Sequence, residues 1–252
     1  MRRKQLIGAG AAAITAGVLL GWLAWTAVMW KRYGRVRRAA GGDPLLDRWL
    51  PAYEVSETHE TRVAAPAALT YDVASSLRLQ QSGVARAVIH AREWIMRARG
   101  GGAWPPGGIT RQMESWGWSV LAIVPGRAIV LGTATQPWRG DVQFRPLPPD
   151  EFLAFDRPGF VRLVTVIAVE PTGRDASLFR VQTRVAATDP EARARFRRYW
   201  AVYSPGILLI RRALLRLVRR EAERRYREER SRARRAGAAP PAPLPGTGEP
   251  AR

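Results

Sequence analysis

The chain has 252 residues, 46% of them hydrophobic, and a formal net charge of +20 at pH 7. This length and apolar fraction allow one or two domains with a buried core, and the charge favours anionic partners such as nucleic acid, acidic lipids or acidic proteins. Because the sequence has no cysteine, disulfides, thiolate nucleophiles and cysteine-ligated zinc are excluded. Neither a metal ion nor another cofactor is predicted.

The first apolar segment spans residues 5–30 and contains no charged residue. As a helix with a rise of about 1.5 Å per residue, it exceeds the roughly 30 Å of a bilayer's hydrocarbon core. A cleaved signal peptide is the alternative, but its apolar region is shorter, about 7 to 15 residues, and ends at a small-residue cleavage site. The sequence therefore predicts a single-pass transmembrane helix at 5–30, between a basic N-terminus at 1–4 and a basic juxtamembrane linker at 31–52.

The flanking charges predict how this segment sits in a cell membrane. More basic residues follow the apolar segment than precede it, which predicts that the rest of the chain lies on the cytoplasmic side. Attraction of an arginine-rich C-terminal region to the anionic cytoplasmic leaflet favours the same orientation. Gly17 and Gly21 form a small-xxx-small pair, which predicts weak self-association of two such helices.

A strand and two helices are predicted after the linker. Residues 53–63 alternate between two faces, one of them distinctly polar, as in a β-strand. Pro66 suits a helix start, and helices are predicted at 67–76 and 83–99. The less polar face of the strand carries Val55, Glu57, His59, Thr61 and Val63.

Most of the predicted β-structure follows a glycine- and proline-rich loop at 100–108. Short turn sequences at 125–127, 156–159 and 171–174 predict antiparallel neighbours. The predicted strands are 118–124, 128–133, 152–155, 160–169 and 178–185.

A long helix is predicted near the C-terminus. It begins at Asp189-Pro190, because aspartate can cap a helix and proline fits its first turn. Apolar residues then recur at three- and four-residue steps from Phe196 to Val218, which predicts a stripe that packs on a sheet. Pro205-Gly206 predicts a kink or break in this helix. Residues 236–252 are rich in proline, alanine and glycine and predict a disordered tail.

One strand, two short helices, a run of antiparallel strands and a long closing helix follow the order of the helix-grip fold. The sequence also resembles the superfamily of START-like and polyketide-cyclase-like (SRPBCC) proteins over about residues 53–225. The resemblance implies an α+β fold at 53–235, in which a curved antiparallel sheet surrounds the C-terminal helix. Its motifs are mostly structural and support the fold better than a function. The segments that carry the resemblance are His59 and 63–66, then 152–155 and 158–159, then 183–185 and 188–189, and finally 196–200 and 210–212.

In that superfamily, the sheet and the closing helix leave a cavity for an apolar ligand such as a lipid, sterol, quinone or polyketide. Together with the anchor predicted at 5–30, the resemblance therefore implies a membrane-anchored protein that binds a hydrophobic small molecule or lipid without chemistry. For the aromatic residues of such a cavity, plain core packing is the alternative interpretation. The predicted ligand-binding residues are His59, Thr61, Trp118, Trp138, Phe155, Phe179, Val181, Trp200 and Ile207.

An enzyme of the cyclase or dehydratase type is an alternative hypothesis. Glu57 lies two residues from His59 on the same strand face, and a neighbouring carboxylate can hold and tune an imidazole that acts as a general base. The pair is the candidate catalytic site of this alternative.

The last alternative is a basic interaction module for anionic membrane surfaces or acidic partners. Residues 211–235 contain twelve arginines against four glutamates, a local charge of +8. A solvated helix face with intrahelical Glu–Arg pairs is the competing interpretation. Nucleic acid is disfavoured as a partner, because no recognised reading module accompanies the charge. The predicted anion-contacting residues are Arg211, Arg212, Arg216, Arg219, Arg220, Arg224 and Arg225.

Overall fold

The computed structural model describes residues 2–38, 43–98 and 104–235, so the predicted disordered tail at 236–252 lies outside the described residues. The α-helices are α1 (Arg2–Arg32), α2 (Pro44–Trp49), α3 (Ala67–Ser76), α4 (Gly83–Ile95), α5 (Ile109–Ser115), α6 (Pro149–Ala154) and α7 (Pro190–Arg235). The β-strands are β1 (Arg37–Arg38), β2 (Ala52–Tyr53), β3 (Val55–Val63), β4 (Ser119–Val124), β5 (Ala128–Thr135), β6 (Phe144–Arg145), β7 (Val161–Gly173) and β8 (Ala176–Ala187).

The main sheet is antiparallel, with the strand order β3-β8-β7-β5-β4 and with β6 paired to the end of β5. Strands β4 and β5, and likewise β7 and β8, are hairpin neighbours, as their turn sequences predict. Strand β3 comes from an earlier part of the chain and forms one edge beside β8. The predicted α+β fold, with a curved antiparallel sheet and a long C-terminal helix, is confirmed.

Helix α7 begins where the sequence predicts. The carboxylate of Asp189 accepts hydrogen bonds from the backbone N–H groups of Glu191 and Ala192 at 2.8 and 2.9 Å, which satisfies donors of the first turn. The carboxylate also accepts a hydrogen bond from the backbone N–H of Gly159, which ties the start of α7 to the loop before β7. These hydrogen bonds, that from Gly159 first, hold the pKa of Asp189 below its usual value.

A kink or break is predicted at Pro205-Gly206. The break is wrong, because α7 runs from Pro190 to Arg235 as one helix, whereas the kink stays a prediction. The neighbouring helix α4 packs directly onto α7 at this point: a Cβ added to Gly206 would lie 2.9 Å from Cγ1 of Val88. Tertiary packing of this kind supplies most helix stability in proteins and outweighs the local preference of proline and glycine.

Alternation along the strands divides the main sheet into two buried faces. On β7 and β8, odd-numbered residues such as Ile167 and Phe179 pack on the side of α7, whereas even-numbered residues such as Val164 and Val166 pack on the opposite side. Every residue of β5 is buried, because both faces of the sheet are covered at this strand. Helices α2 and α6 cover the opposite face, and α3 and α7 cover the first.

The predicted linker at 31–52 is wrong in its second half, where the chain forms α2. The side chain of Asp43 accepts a hydrogen bond from the backbone N–H of Leu45 at 2.9 Å, and Pro44 occupies the first helical turn. Leu46 and Trp49 lie on one side of this helix and are buried against the sheet. Residues 43–50 are therefore part of the folded core.

The predicted strand at 152–155 is also wrong, because residues 152–154 form the end of α6 and Phe155 caps it. Pro149 stands in the first turn of this helix with Asp150 and Glu151, and both acids are stabilised near the positive helix N-terminus. The side chain of Phe152 is fully buried on the sheet face opposite α7. The segment therefore covers the sheet from outside and adds no strand to it.

The predicted transmembrane helix at 5–30 is not supported. Within the parts of the chain that the structure describes, no helix has both the length and the apolar character that crossing a membrane requires. The segment is helical, and its C-terminal end packs against α7. Met29 and Tyr33 are buried there, and Trp25 donates a hydrogen bond from Nε1 to Oγ of Ser204 at 3.1 Å. Cytoplasmic placement and self-association through the glycine pair stay predictions.

Candidate functional site

The inner face of edge strand β3 is polar in its middle. Val55 and Val63, at the two ends of this face, are only 2% and 1% exposed. Glu57, His59 and Thr61, which lie between them on the same face, are all half-buried. Solvent therefore reaches the centre of the inner strand face but not its ends.

Helix α7 carries both buried and half-buried side chains along its length. Phe196 and Trp200 near its start, and Val218 further along, are buried. Ile207 and Leu214 in its middle are half-buried, whereas their neighbours Leu208 and Leu215 are only 8% and 5% exposed. The middle of the helix is therefore partly accessible at Ile207 and Leu214, and the residues next to them pack against protein.

We call the half-buried region between the middle of β3 and the middle of α7 the β3–α7 opening. Its polar side is formed by β3 and by one arginine of α7, and its apolar side by β8 and the middle of α7. The register places His59 opposite Val181 of β8 on the same sheet face. The opening is defined by Glu57, His59, Thr61, Val181, Ile207 and Arg211.

Arg211 lies in this opening, so its prediction as a surface contact is wrong. It follows Ile207 by four residues and precedes Leu214 by three, and these spacings put all three side chains on the same face of a helix. Its Nη1 atom is buried and has no hydrogen-bond partner among the described residues. Burial lowers the pKa of Arg211 to about 10, and the charge of Glu57 partly offsets that effect.

His59 is held neutral in the opening. Burial lowers its pKa below 6.5, and the positive charges of Arg211 and Arg212 lower it further. Its Nδ1 atom is buried and, within the residues described, has no hydrogen-bond partner. The support expected from Glu57 is therefore not formed through this atom.

Glu57 has a pKa shifted in the opposite direction. Burial raises the pKa of its carboxyl group. The positive charges of Arg32 at the end of α1 and Arg211 of α7 lower this pKa and offset part of the effect. The group is therefore more easily protonated than an exposed glutamate. Two ionisable side chains with oppositely shifted pKa values on one strand face are typical of a functional site, although structural networks can also produce them.

The α7 side of the sheet also carries an apolar wall, which extends from β8 beside β3 to β4 at the opposite edge of the sheet. Its members share two properties: they pack against the core clusters on the α7 side of the sheet, and they are only partly buried. Such side chains can contact a guest molecule without being removed from the core. They are Trp118, Val120, Trp138, Leu163, Val181, Ile207 and Leu214.

Three of the predicted ligand-binding residues are not on this wall. Phe155 packs against Phe160 in the core cluster on the opposite face of the sheet, with ring centroids 5.6 Å apart. Phe179 is 3% exposed and Trp200 4% exposed, so both are enclosed by protein. Trp200 contacts Tyr33 at the junction of α1 and α7, with ring centroids 6.1 Å apart. Core packing is therefore the structural role of these residues.

The arginine-rich half of α7 is more balanced than its composition indicates. Arg224 bonds to Glu221 and Glu228, and Arg225 also bonds to Glu221, all within the helix. Arg219 pairs with Glu223 at 2.9 Å in the same way. These intrahelical pairs match the competing interpretation of a solvated helix face.

Arg212, Arg216 and Arg220 are exposed, and in the described parts of the chain no carboxylate forms an ion pair with them. They recur every four residues and therefore lie on one face of α7. For these three residues, contact with anionic surfaces stays a prediction.

Two surface depressions lie away from the opening. One, of about 720 Å³, is bordered by His90 and Trp94 at the end of α4, and another, of about 620 Å³, is bordered by Gln136 and Phe144. Neither includes a residue of the β3–α7 opening. His90 is exposed and lies 3.2 Å from Glu93 within its own helix. The β3–α7 opening differs from both depressions in holding buried nitrogens of His59 and Arg211 that have no hydrogen-bond partner among the described residues. We therefore take it as the candidate site.

No protein-family model matches the chain, and no curated protein matches it in sequence. Among solved structures, a hypothetical protein from Helicobacter pylori is similar at 9% identity and a TM-score of 0.33, over 74% of this chain and 98% of that chain. The Zhui aromatase/cyclase from a Streptomyces species is similar at 15% identity and a TM-score of 0.26, over 73% and 99%. Norcoclaurine synthase from Thalictrum flavum is similar at 16% identity and a TM-score of 0.27, over 72% and 95%. At such low TM-scores these similarities carry no argument about what this chain does.

Proposed function

We propose that the chain binds a mainly apolar small molecule in the β3–α7 opening. The observation that carries the proposal is the half-buried middle of this region, where Ile207 and Leu214 of α7 and Glu57, His59 and Thr61 of β3 all remain partly accessible. Removing apolar surface from water contributes about 25 cal/mol per Å². A ligand that covers these side chains binds with this favourable free energy. In the folded chain without a ligand, the same apolar surface stays in contact with water.

The polar side of the opening supports a ligand that has one polar end. His59 and Arg211 each hold a buried nitrogen without a hydrogen-bond partner among the described residues. Binding sites of this kind are mostly apolar, with a small number of placed polar groups that orient the ligand. The apolar wall and the two nitrogens form such a combination.

Binding of a neutral apolar dye to the full-length chain tests the proposal. We expect N-phenylnaphthylamine to bind saturably, with one site per chain, and to be displaced by unlabelled apolar molecules. Fluorescence titration measures both properties. A signal that only rises in proportion to dye concentration, without saturation or displacement, would contradict the proposal.

Proton transfer on a bound ketone is a second candidate function. It is favoured by the presence of neutral His59 and cationic Arg211 in one opening. The imidazole would take a proton from the carbon beside the carbonyl group, and the electron pair of the broken C–H bond would move to the carbonyl oxygen. Arg211 would stabilise the negative charge on that oxygen.

Deuterium exchange into phenylacetone tests this second function. We expect the full-length chain to accelerate exchange, and His59→Gln to abolish the acceleration while dye binding persists. Because burial, with the charges of Arg211 and Arg212, lowers the pKa of His59 from 6.5, the rate should fall to half of its plateau only below pH 6.5. An exchange rate that is unchanged in His59→Gln, or that has already halved at pH 6.5, would exclude this role.

A further inference from the structure

We infer that the β3–α7 opening selects ligands whose polar end is a carboxylate, held by Arg211 of α7 and His59 of β3. The inference rests on the proposed function and adds to it the chemical class of the ligand. It concerns Nη1 of Arg211 and Nδ1 of His59, two of the buried nitrogens that have no hydrogen-bond partner among the described residues.

Both nitrogens can donate a hydrogen bond. Nη1 of Arg211 carries only donors, and a neutral imidazole donates from Nδ1 in one of its two tautomers. A buried donor without an acceptor destabilises the folded chain, and more so when the group is charged. In the tautomer with the proton on Nδ1, both positions need an acceptor, and a carboxylate offers two oxygens for two donors.

Positive charges predominate around the opening. Arg32 at the end of α1 and Arg211 of α7 both act on Glu57 of β3, and Arg212 acts with Arg211 on His59. Burial raises the pKa of Glu57, which weakens the one carboxylate among these groups as a counter-charge. The local potential is positive, and it favours an anion over a neutral head group.

A carboxylate head group suits the opening better than a more highly charged head group does. Glu57 is the acidic group that shares the strand face, and it would repel a dianion more strongly than a monoanion. In its protonated form it can also donate a hydrogen bond to a carboxylate oxygen. A singly charged head on an apolar body fits both the donors and the neighbouring acid.

Competition against the neutral dye tests the inference on the unaltered, full-length chain. Decanoate, decanol and decyl phosphate carry the same apolar body, and each is used below its aggregation concentration. We expect decanoate to displace the dye at a concentration about tenfold lower than decanol, because charge-assisted hydrogen bonds are roughly twice as strong as neutral ones. We expect decyl phosphate to be weaker than decanoate.

Two variants locate the preference within α7. Arg211→Met removes the buried donor and should abolish the preference for decanoate over decanol. Arg216→Met removes an exposed arginine of the same helix and should leave the preference unchanged. Dye binding by both variants confirms that each is folded.

Each remaining outcome is decisive. Equal displacement by decanoate and decanol overturns the carboxylate inference and leaves the proposed function intact. Stronger displacement by decyl phosphate overturns the choice of carboxylate. Loss of the preference in Arg216→Met as well as Arg211→Met assigns the preference to general surface charge and overturns the site. If the dye itself does not bind, the proposed function fails instead.

Discussion

Replacing Ile207 by tryptophan is expected to weaken binding of the neutral dye by roughly tenfold to a hundredfold. Ile207 lies on the middle of α7 and is half-buried beside the core cluster that contains Trp200. An indole at this position would occupy space that the proposal assigns to the ligand. Forcing a ligand into occupied space costs about 1–3 kcal/mol, which corresponds to the expected loss of affinity.

Leu209→Trp is the matched control for this substitution. Leu209 lies two residues further along the same helix and is 51% exposed, so its side chain points away from the opening. The control adds the same indole to the same helix and should leave dye affinity within about twofold, as surface substitutions usually have small effects. Equal weakening in both variants, or none in either, would show that the dye binds outside the opening.

Replacing Arg184 by methionine is expected to lower the free energy of unfolding by about 3 kcal/mol. The side chain of Arg184 is 1% exposed on the sheet face opposite α7. Its Nη1 atom donates hydrogen bonds to Oδ1 of Asp47 at 2.6 Å and to the carbonyl oxygen of Leu50 at 3.2 Å. Its guanidinium carbon lies 4.7 Å from the ring centroid of Tyr53. Removing the arginine leaves two acceptors without their donor.

Urea denaturation of the full-length chain measures this loss, with Arg216→Met as a control of the same chemical change at an exposed site. The control should change the free energy of unfolding by less than about 0.5 kcal/mol. Adding Asp47→Leu to Arg184→Met should recover part of the loss, because replacing both partners of a buried pair by apolar residues removes the unpaired charge. A loss in Arg184→Met no larger than that of the control would show that this pair does not stabilise the fold.

Period-two alternation and a strong helix cap made much of the fold predictable. The alternation of 53–63 placed Glu57, His59 and Thr61 on one inner face, and the structure has them there. Asp189-Pro190 identified the start of α7, because the carboxylate and the proline both favour a first helical turn. These signals depend only on neighbouring residues, and a single sequence contains them in full.

The misplaced elements carried signals of the same kind. Asp43-Pro44 repeats the aspartate-proline start of α7, and it caps α2 inside the segment predicted as a linker. Pro149 with Asp150 marks the start of α6, where a strand was predicted. Gly41 and Gly42 favoured a linker in the first case, and the turn sequence at 156–159 favoured a preceding strand in the second. Both helices pack on the sheet face opposite α7. This face is built from strands that are distant in sequence, so the residues next to each helix do not predict the packing.

The buried arginine of the site was missed for a different reason. Arg211 and Arg212 are adjacent, and composition groups them as one basic run. Their positions on a helix differ by about 100°, so one side chain can face the sheet while the other faces solvent. The spacing of Arg211 from Ile207 and Leu214 would have identified it as an inner residue. The unpartnered nitrogens depend on tertiary structure and could not be predicted.

Photolabelling with an apolar diazirine, followed by peptide mass spectrometry of the full-length chain, tests the central claim most directly. The β3–α7 opening predicts labels on the inner residues of β3 and β8, such as Thr61 and Val181, and on Ile207 of α7, with all of them suppressed by excess unlabelled ligand. Leu19, Leu20 and Leu23 of α1 are strongly exposed apolar residues and are the alternative target. Labels confined to α1, or labels on the opening that excess ligand does not suppress, would contradict the account.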